Sequence, residues 1–384
     1  MLKGMAAVRD VAAIVGLLLV GSAAWSVLGT VVVPRRVRSR LARGVGITVD
    51  RVFHAVADTL PTYERRDRFL AAQAPAQLIG QLAVWLAVFE LGFALVLWPF
   101  VPSAGLGAAL QQIGSSLFTL GYVVPQRSWA AAIDDLAALA GLGTLALQIG
   151  YLPTLYAAFN RRETLVTMLD SRAGVPSWGP ELLARTHYGL GTGTSAVEQL
   201  PELFERWERW SADVAESHST YLPLIRFRSP HALSSWVIAQ LAVLDAAAMY
   251  LALVPDAPGA IFARLCLRGG FTCLRNIARA TGQIAIPDDP DPNDGIALSY
   301  DEFVDAVERL RRVDFPLPRP TEDAWLDFVG WRVNYEAAAY HIAWLVDAPP
   351  ALWSGPRRHR TGPMPPLRPL TLRAGKPPLP PPPI

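Results

Sequence analysis

Val11–Val33 is a run of 23 residues without a charged side chain; as a helix it would be roughly 34 Å long, enough to cross a hydrocarbon core of about 30 Å. Leu136–Phe159 is a second such run, of 24 residues, and Ala76–Val101 is a third, interrupted only by Glu90. Lipid contains no water to satisfy free backbone groups, so segments of this length and polarity are confined to helices that cross it. The rest of the composition agrees. Of the 384 residues 52% are apolar and only 18% charged, richer in apolar and poorer in charged side chains than an ordinary soluble domain. Three spans are expected.

The first run is too long for a signal peptide and ends in Pro34-Arg35-Arg36-Val37-Arg38-Ser39-Arg40, a stop-transfer pattern, so it is expected to stay as a span. Arg35, Arg36, Arg38, Arg40 and Arg43 on this flank outweigh Lys3 and Arg9 on the other. By the positive-inside rule the N-terminus is then outside the plasma membrane and the arginines are cytoplasmic. The second span runs outward, Pro102–Ser128 is external, and the third returns to a cytoplasmic Asn160-Arg161-Arg162.

The external stretch is too long for a turn and too short for a domain. Over Gly105–Phe118 the residues Leu106, Leu110, Ile113 and Leu117 recur at helical spacing, with Gln111, Gln112, Ser115 and Ser116 on other faces. Thr119-Leu120-Gly121-Tyr122 follows at once, and Val123-Val124-Pro125 leads out. The order is span, re-entrant helix, short non-helical segment, span. Non-helical backbone at membrane depth is tolerated where it lines a cavity, and its carbonyls can replace the hydration shell of an ion. Glycine suits such a segment because it adopts positive φ at little cost.

Ala76–Phe159, about a fifth of the chain, resembles the outer helix, pore helix, filter and inner helix of the two-transmembrane potassium-channel superfamily. Thr119, Leu120, Gly121 and Tyr122 match the first four places of that family's Thr-Val-Gly-Tyr-Gly filter. Val123 takes the fifth place and Val124 the place of the acid that usually follows. A β-branched residue is poorly suited to positive φ, so the outermost ion site departs from the family's. The resemblance implies that Thr119–Val123 select the ion, with the threonine hydroxyl a ligand at the inner end and the tyrosine bracing against surrounding pore helices. It further implies a homotetramer, since one copy cannot close a filter ring. The other reading of the same residues is a loop helix that packs three spans together.

Other residues in this region carry paired readings. Glu90, an acid inside a span, is a functional candidate by default, near Ser115 or Ser116 at the back of the pore helix, or else a protonated, buried bystander. Gly141, Gly143 and Gly150, with Pro153, permit a gating bend or serve close helix packing. Gln148 is a lone polar side chain able to face the lumen. Asp134 and Asp135 stand where acids would concentrate cations at the external mouth, or are solvated surface groups.

From Arg161 onward the pattern is helical. Pro201–His218 spaces Phe204, Trp207 and Trp210 as one face of a helix, Ser299 and Glu302 form a capping box opening a helix through Val313, and Trp325–Val346 reads as one more helix. Ala232–Val254, with Asp245 its only charge, reads as a buried cytoplasmic or interfacial helix. As a span it would carry Arg264, Arg268, Arg275 and Arg279 outward, against the charge rule. The proline- and arginine-rich stretch 348–384 is expected not to fold by itself.

Several motifs fail on inspection. Gly189–Ser195 has phosphate-loop glycines but no Lys-Ser/Thr after them, and reads as a linker. Asp288–Gly295 resembles a calcium loop, but its prolines, its misplaced glycine and Tyr300 at the glutamate position argue against one. Cys266 and Cys273 lack metal-ligand spacing and read as reduced, buried side chains. No His-Glu-x-x-His or Gly-x-Ser-x-Gly is present, and with no other catalytic constellation the chain is not expected to be an enzyme.

The chain is therefore read as an all-α membrane protein. Its regions are an N-terminal span (1–34), a basic amphipathic cytoplasmic linker (35–75), a channel-like pore domain (76–159), a helical cytoplasmic domain (160–347) and a disordered tail (348–384). The expected partners are a permeant monovalent cation and membrane lipid, with no cofactor and no nucleic acid; nothing in the sequence points to a particular cytoplasmic regulator. The alternative function is a membrane-anchored sensor or scaffold whose pore-like loop is vestigial.

Overall fold

The computed structural model describes residues 2–33, 39–101, 105–125, 128–187, 197–282, 286–287, 290–291, 294–358 and 361–367. Arg35, Arg36, Arg38, the segment 189–195, half of the acidic 288–295 stretch and residues 368–384 lie outside them. Among the described residues the protein is all helical, with only two isolated bridges, Val175 to Leu367 and Ala351 to Met364. The chain divides into two units: 1–56 with 72–157, and 57–71 with 158–384.

The first unit holds α1 (Leu2–Val27), α2 (Arg40–Ala57, whose last residue falls in the second unit), α4 (Gln73–Leu97), α5 (Gly105–Leu117) and the first part of α6 (Ser128–Ala173). α1 continues into a π-helical turn, Leu28–Val32, and α4 into a 3-10 turn, Trp98–Phe100. Three helices here are long and apolar enough to cross a membrane, as the charge-free runs predicted. α6 is longer than its apolar run. It continues through Pro153 and the basic Asn160-Arg161-Arg162 to Ala173, so the expected end at Phe159 is corrected; past the apolar run its helix is held by packing of Val166, Leu169 and Ala173 into the core of the second unit.

Large apolar side chains lie exposed along these helices: Val11, Ile14, Leu17 and Leu18 on α1, Ile79 on α4, Leu139, Leu142 and Ile149 on α6. Apolar surface of this extent is unfavourable in water and ordinary in hydrocarbon. Between α1 and α4 the contact is made by small residues. A Cβ on Gly16 would stand 2.5 Å from the Gly92 carbonyl oxygen, the close backbone approach by which membrane helices associate. The pairing of Gly16 with Gly92 and of Ser26 with Trp85, whose Nε1–H donates to Ser26 Oγ at 2.8 Å, makes the two helices antiparallel.

The second unit holds α3 (Tyr63–Leu70), the end of α6, α7 (Gly179–His187), α8 (Leu200–Thr220), α9 (Trp236–Leu253), α10 (Ala260–Ala280), α11 (Tyr300–Arg311), α12 (Thr321–Arg332) and α13 (Glu336–Leu345). α9 is the fourth helix long and apolar enough to span, yet every residue but Leu251 is buried, enclosed by α7, α8, α10, α12 and α13. The amide and the carboxylate of α9 are matched inside the protein. Gln240 Nε2–H donates to the Gly270 carbonyl at 3.2 Å, and Asp245 accepts from Arg332 Nη1 at 2.5 Å and from the Tyr335 hydroxyl at 2.8 Å. These bonds explain why an almost uncharged helix sits in a protein core.

Arg332 is wholly buried and also donates to Glu336, the Tyr340 hydroxyl and the Trp353 carbonyl. Burial opposes its charge most strongly, but Asp245, Tyr340, Tyr335 and Glu336 together outweigh that and hold its pKa well above the usual range. Arg162 is equally buried. It bonds Glu163, the Leu224 and Phe227 carbonyls and His218 Nε2.

The capping box at α11 is formed as the sequence predicts, with Ser299 and Glu302 bonding each other's backbone N–H. α11 ends at Arg311, two residues short of the expectation. The helix expected over Trp325–Val346 is two helices, α12 and α13. The Asn334 amide donates to the Gly330 and Trp331 carbonyls at the end of α12, and Tyr335 turns inward to Asp245. The first part of the expected tail is folded. Ala348, Ala351 and Trp353 belong to the core, and Arg357 bonds the carbonyls of Ala348, Pro349 and Ser354, so residues 348–358 are part of the packed unit. Further on, Leu367 pairs with Val175.

Candidate functional site

α5 and the eight residues after it form the site. Ala109, Ile113 and Leu117 fall on one apolar stripe, which is why this segment is helical and why it buries that face against α4 and α6. Two glycines set the approach. A Cβ on Gly114 would stand 3.0 Å from Glu90 Oε1, and one on Gly141 would stand 2.1 Å from the Leu117 carbonyl oxygen. Glu90 thus lies against the back of α5, as expected, but beside Gly114 rather than at the hydroxyl of Ser115 or Ser116. Gln112 Nε2–H donates to Asp134 Oδ2 at 3.0 Å, tying α5 to α6 from the polar side.

The helix ends in a Schellman cap. Thr119 N–H donates to the Ser116 carbonyl at 2.9 Å and Leu120 N–H to the Ser115 carbonyl at 2.8 Å, with Thr119 in the left-handed region at φ +55°. Gly121 N–H shares the Ser115 carbonyl at 3.2 Å, and Val123 N–H donates to Ser115 Oγ at 3.1 Å. One serine therefore collects the N–H groups of Leu120, Gly121 and Val123. Among the described residues, the carbonyls of Thr119, Leu120, Gly121 and Tyr122 accept no hydrogen bond.

Positive φ occurs at Thr119 and at Gly121 (+68°), with Leu120 between them outside that region. Glycine takes such an angle freely, whereas a β-branched threonine is strained there by roughly 1–2 kcal/mol. The strained β-branched residue is therefore Thr119. Val123, for which the sequence raised that conflict, has no positive φ. Leu120, Tyr122 and Val124 are exposed on the single chain.

Other expected members of the site fall differently. Tyr122 braces within its own chain, its hydroxyl donating to the Gln111 carbonyl at 3.2 Å. Asp134 is only 4% exposed and holds Gln112, while Asp135 is exposed. Gln148 shares the buried stripe of α6 with Ala137, Gly141, Thr144 and Tyr151, so it is covered rather than open to a lumen. Gly141 is a contact glycine, whereas a Cβ on Gly143 would meet nothing within 4 Å.

The hub residue Ser115 had no role of its own in the sequence reading. The available signal was a Ser-Ser pair in the last turn of a helix, where hydroxyls capture the N–H groups of a following loop. Among the described residues no group of histidine, cysteine, aspartate or glutamate could hold a metal ion. The chain matches no protein-family model, no curated protein and no solved structure.

Proposed function

We propose that this protein is a channel subunit conducting monovalent cations passively, potassium foremost, through a pore formed by four copies at the Thr119–Val123 segment. The observation that carries this reading is the division of backbone groups after α5. Ser115 and Ser116 take the N–H groups, and the carbonyls of residues 119–122 are left without partners. At membrane depth an unpaired carbonyl is costly unless water or an ion meets it. Four chains arranged about an axis would present rings of such carbonyls, which is how a filter replaces hydration.

The charge rule orients the subunit with its N-terminus outside and the second unit in the cytoplasm of a plasma-membrane channel. Glu90 supports α5 from behind through its contact at Gly114. The second unit regulates or assembles the pore, and α6, one uninterrupted helix from Ser128 to Ala173, joins the two. A second reading, a membrane-anchored sensor or scaffold, draws on the second unit's own complete core. The oligomeric state of the purified protein separates them. A tetramer is expected, and a monomer or dimer in lipid nanodiscs would contradict the pore.

A further inference from the structure

α2 has an inner face with partners and an outer face without them. On the inner face Ser39, the N-cap, hydrogen-bonds Ser26 of α1 at 2.5 Å, and Asp50 accepts from Gln73, the first residue of α4, at 3.0 Å. A Cβ on Gly46 would lie 3.3 Å from Gln77 of α4. Because α1 and α4 are antiparallel, the end of one and the start of the other lie at the same level, and the pairings of Asp50 with Gln73, Gly46 with Gln77 and Val45 with Gly80 set α2 antiparallel along the first turns of α4. Ser26 is seven residues from the end of the apolar run at Val33, about 10 Å along a helix. That depth places the start of α2 inside the hydrocarbon edge, whereas the pairing of Gly46 with Gln77, at the start of the apolar run that opens at Ala76, places the middle of α2 at the boundary between hydrocarbon and water.

The outer face carries Arg40, Arg43 and Arg51 interleaved with Ile47, Val52 and Val56, all exposed. None of the three arginines has a hydrogen-bond or ion-pair partner among the described residues, and the one acid of the helix, Asp50, is engaged inside by Gln73 and His54. Guanidinium groups interleaved with branched apolar side chains suit a helix that passes through the headgroup layer beside a span, with charges reaching phosphates and aliphatic groups in the acyl boundary.

We propose that the outer face of α2 binds anionic phospholipid headgroups at the membrane boundary shared by the end of α1 and the start of α4. The site depends on α1 and α4 spanning and not on the pore, so it stands or falls apart from conduction.

The test uses full-length protein in neutral detergent, titrated with fluorescent phosphatidylglycerol and, separately, fluorescent phosphatidylcholine. A basic residue near an anionic surface contributes roughly fivefold, so Arg40→Gln/Arg43→Gln/Arg51→Gln should lower the preference for phosphatidylglycerol by about 100-fold. The corresponding lysine variants should keep most of it, and added salt should weaken it. Inorganic phosphate should not compete; competition at equal concentration would assign the site to a free anion instead. If the triple variant does not fold, Arg43→Gln alone should show the fivefold loss. An unchanged preference in the glutamine variants overturns the proposal, as does a changed oligomeric state with lipid preference intact, which would make this face a subunit contact.

Discussion

Gly141 and Gly143 lie two residues apart on α6 and should respond oppositely to the same substitution. A Cβ at position 141 would stand 2.1 Å from the Leu117 carbonyl oxygen and 3.1 Å from Leu117 Cδ1, whereas at 143 nothing lies within 4 Å. A carbon needs roughly 3.3 Å from an oxygen, so Gly141→Ala must push α5 back by about 1 Å. Overpacking of this kind costs about 1–3 kcal/mol. The displaced helix carries Ser115, from which the N–H groups of Leu120, Gly121 and Val123 hang, so the segment Thr119–Val123 moves with it. Gly143→Ala meets no obstacle and removes a flexible residue from a helix interior, a gain of up to about 1 kcal/mol. Denaturation midpoints in detergent and cation flux in liposomes read both effects. Gly141→Ala should lose stability and flux, and Gly143→Ala should match or exceed wild type in each. Equal damage from the two substitutions would refute this packing argument in favour of a hinge that needs both glycines; wild-type behaviour of Gly141→Ala would refute it outright.

Arg332→Met removes the guanidinium from buried Asp245 and Glu336. Stranding buried acids in this way should destabilise the second unit by about 3–5 kcal/mol, and adding Asp245→Asn should recover part of the loss in a double-mutant cycle of unfolding energies. His218 is neutral in the fold: burial first, then Arg162, hold its pKa well below the usual value of 6.5. The unfolded chain binds the extra proton, so the stability His218 contributes is full above about pH 6.5 and falls as pH drops toward the depressed folded value. Replacing His218 with Gln should flatten that part of a stability–pH curve, and an unaltered slope would remove His218 as its source. Cys266 and Cys273 are fully buried, and burial pushes the Cys273 thiol up to about 12. With so little thiolate at neutral pH, both should resist maleimide in native protein and label after denaturation, as mass spectrometry would show.

The helix α5 was legible almost to the residue because its apolar spacing, its opening glycine and its closing Thr-x-Gly are all local signals. The ends of the apolar runs were less so. Charge and hydropathy mark where a helix leaves lipid, not where it stops, and α6 continues for 14 residues beyond Phe159 because the second unit packs Val166, Leu169 and Ala173. The break between α12 and α13 was hidden for a similar reason, since Tyr335 answers to Asp245, 90 positions away. Periodicity finds a stripe but not its neighbour, so Asp134 and Gln148 were read as open to solvent or lumen when both are covered. In the stretch after residue 347, proline-rich composition masked Trp353, which the core takes in.

Cation flux into liposomes carrying the purified protein, compared for potassium, rubidium and sodium with Gly121→Asp beside wild type, tests the pore most directly. A side chain at Gly121 must adopt a φ of +68° and brings a carboxylate into the carbonyl-lined segment. Flux in wild type, ranked potassium and rubidium above sodium and abolished by Gly121→Asp, is the predicted result. Correctly inserted protein that passes no cation at any tested pH or voltage would contradict it.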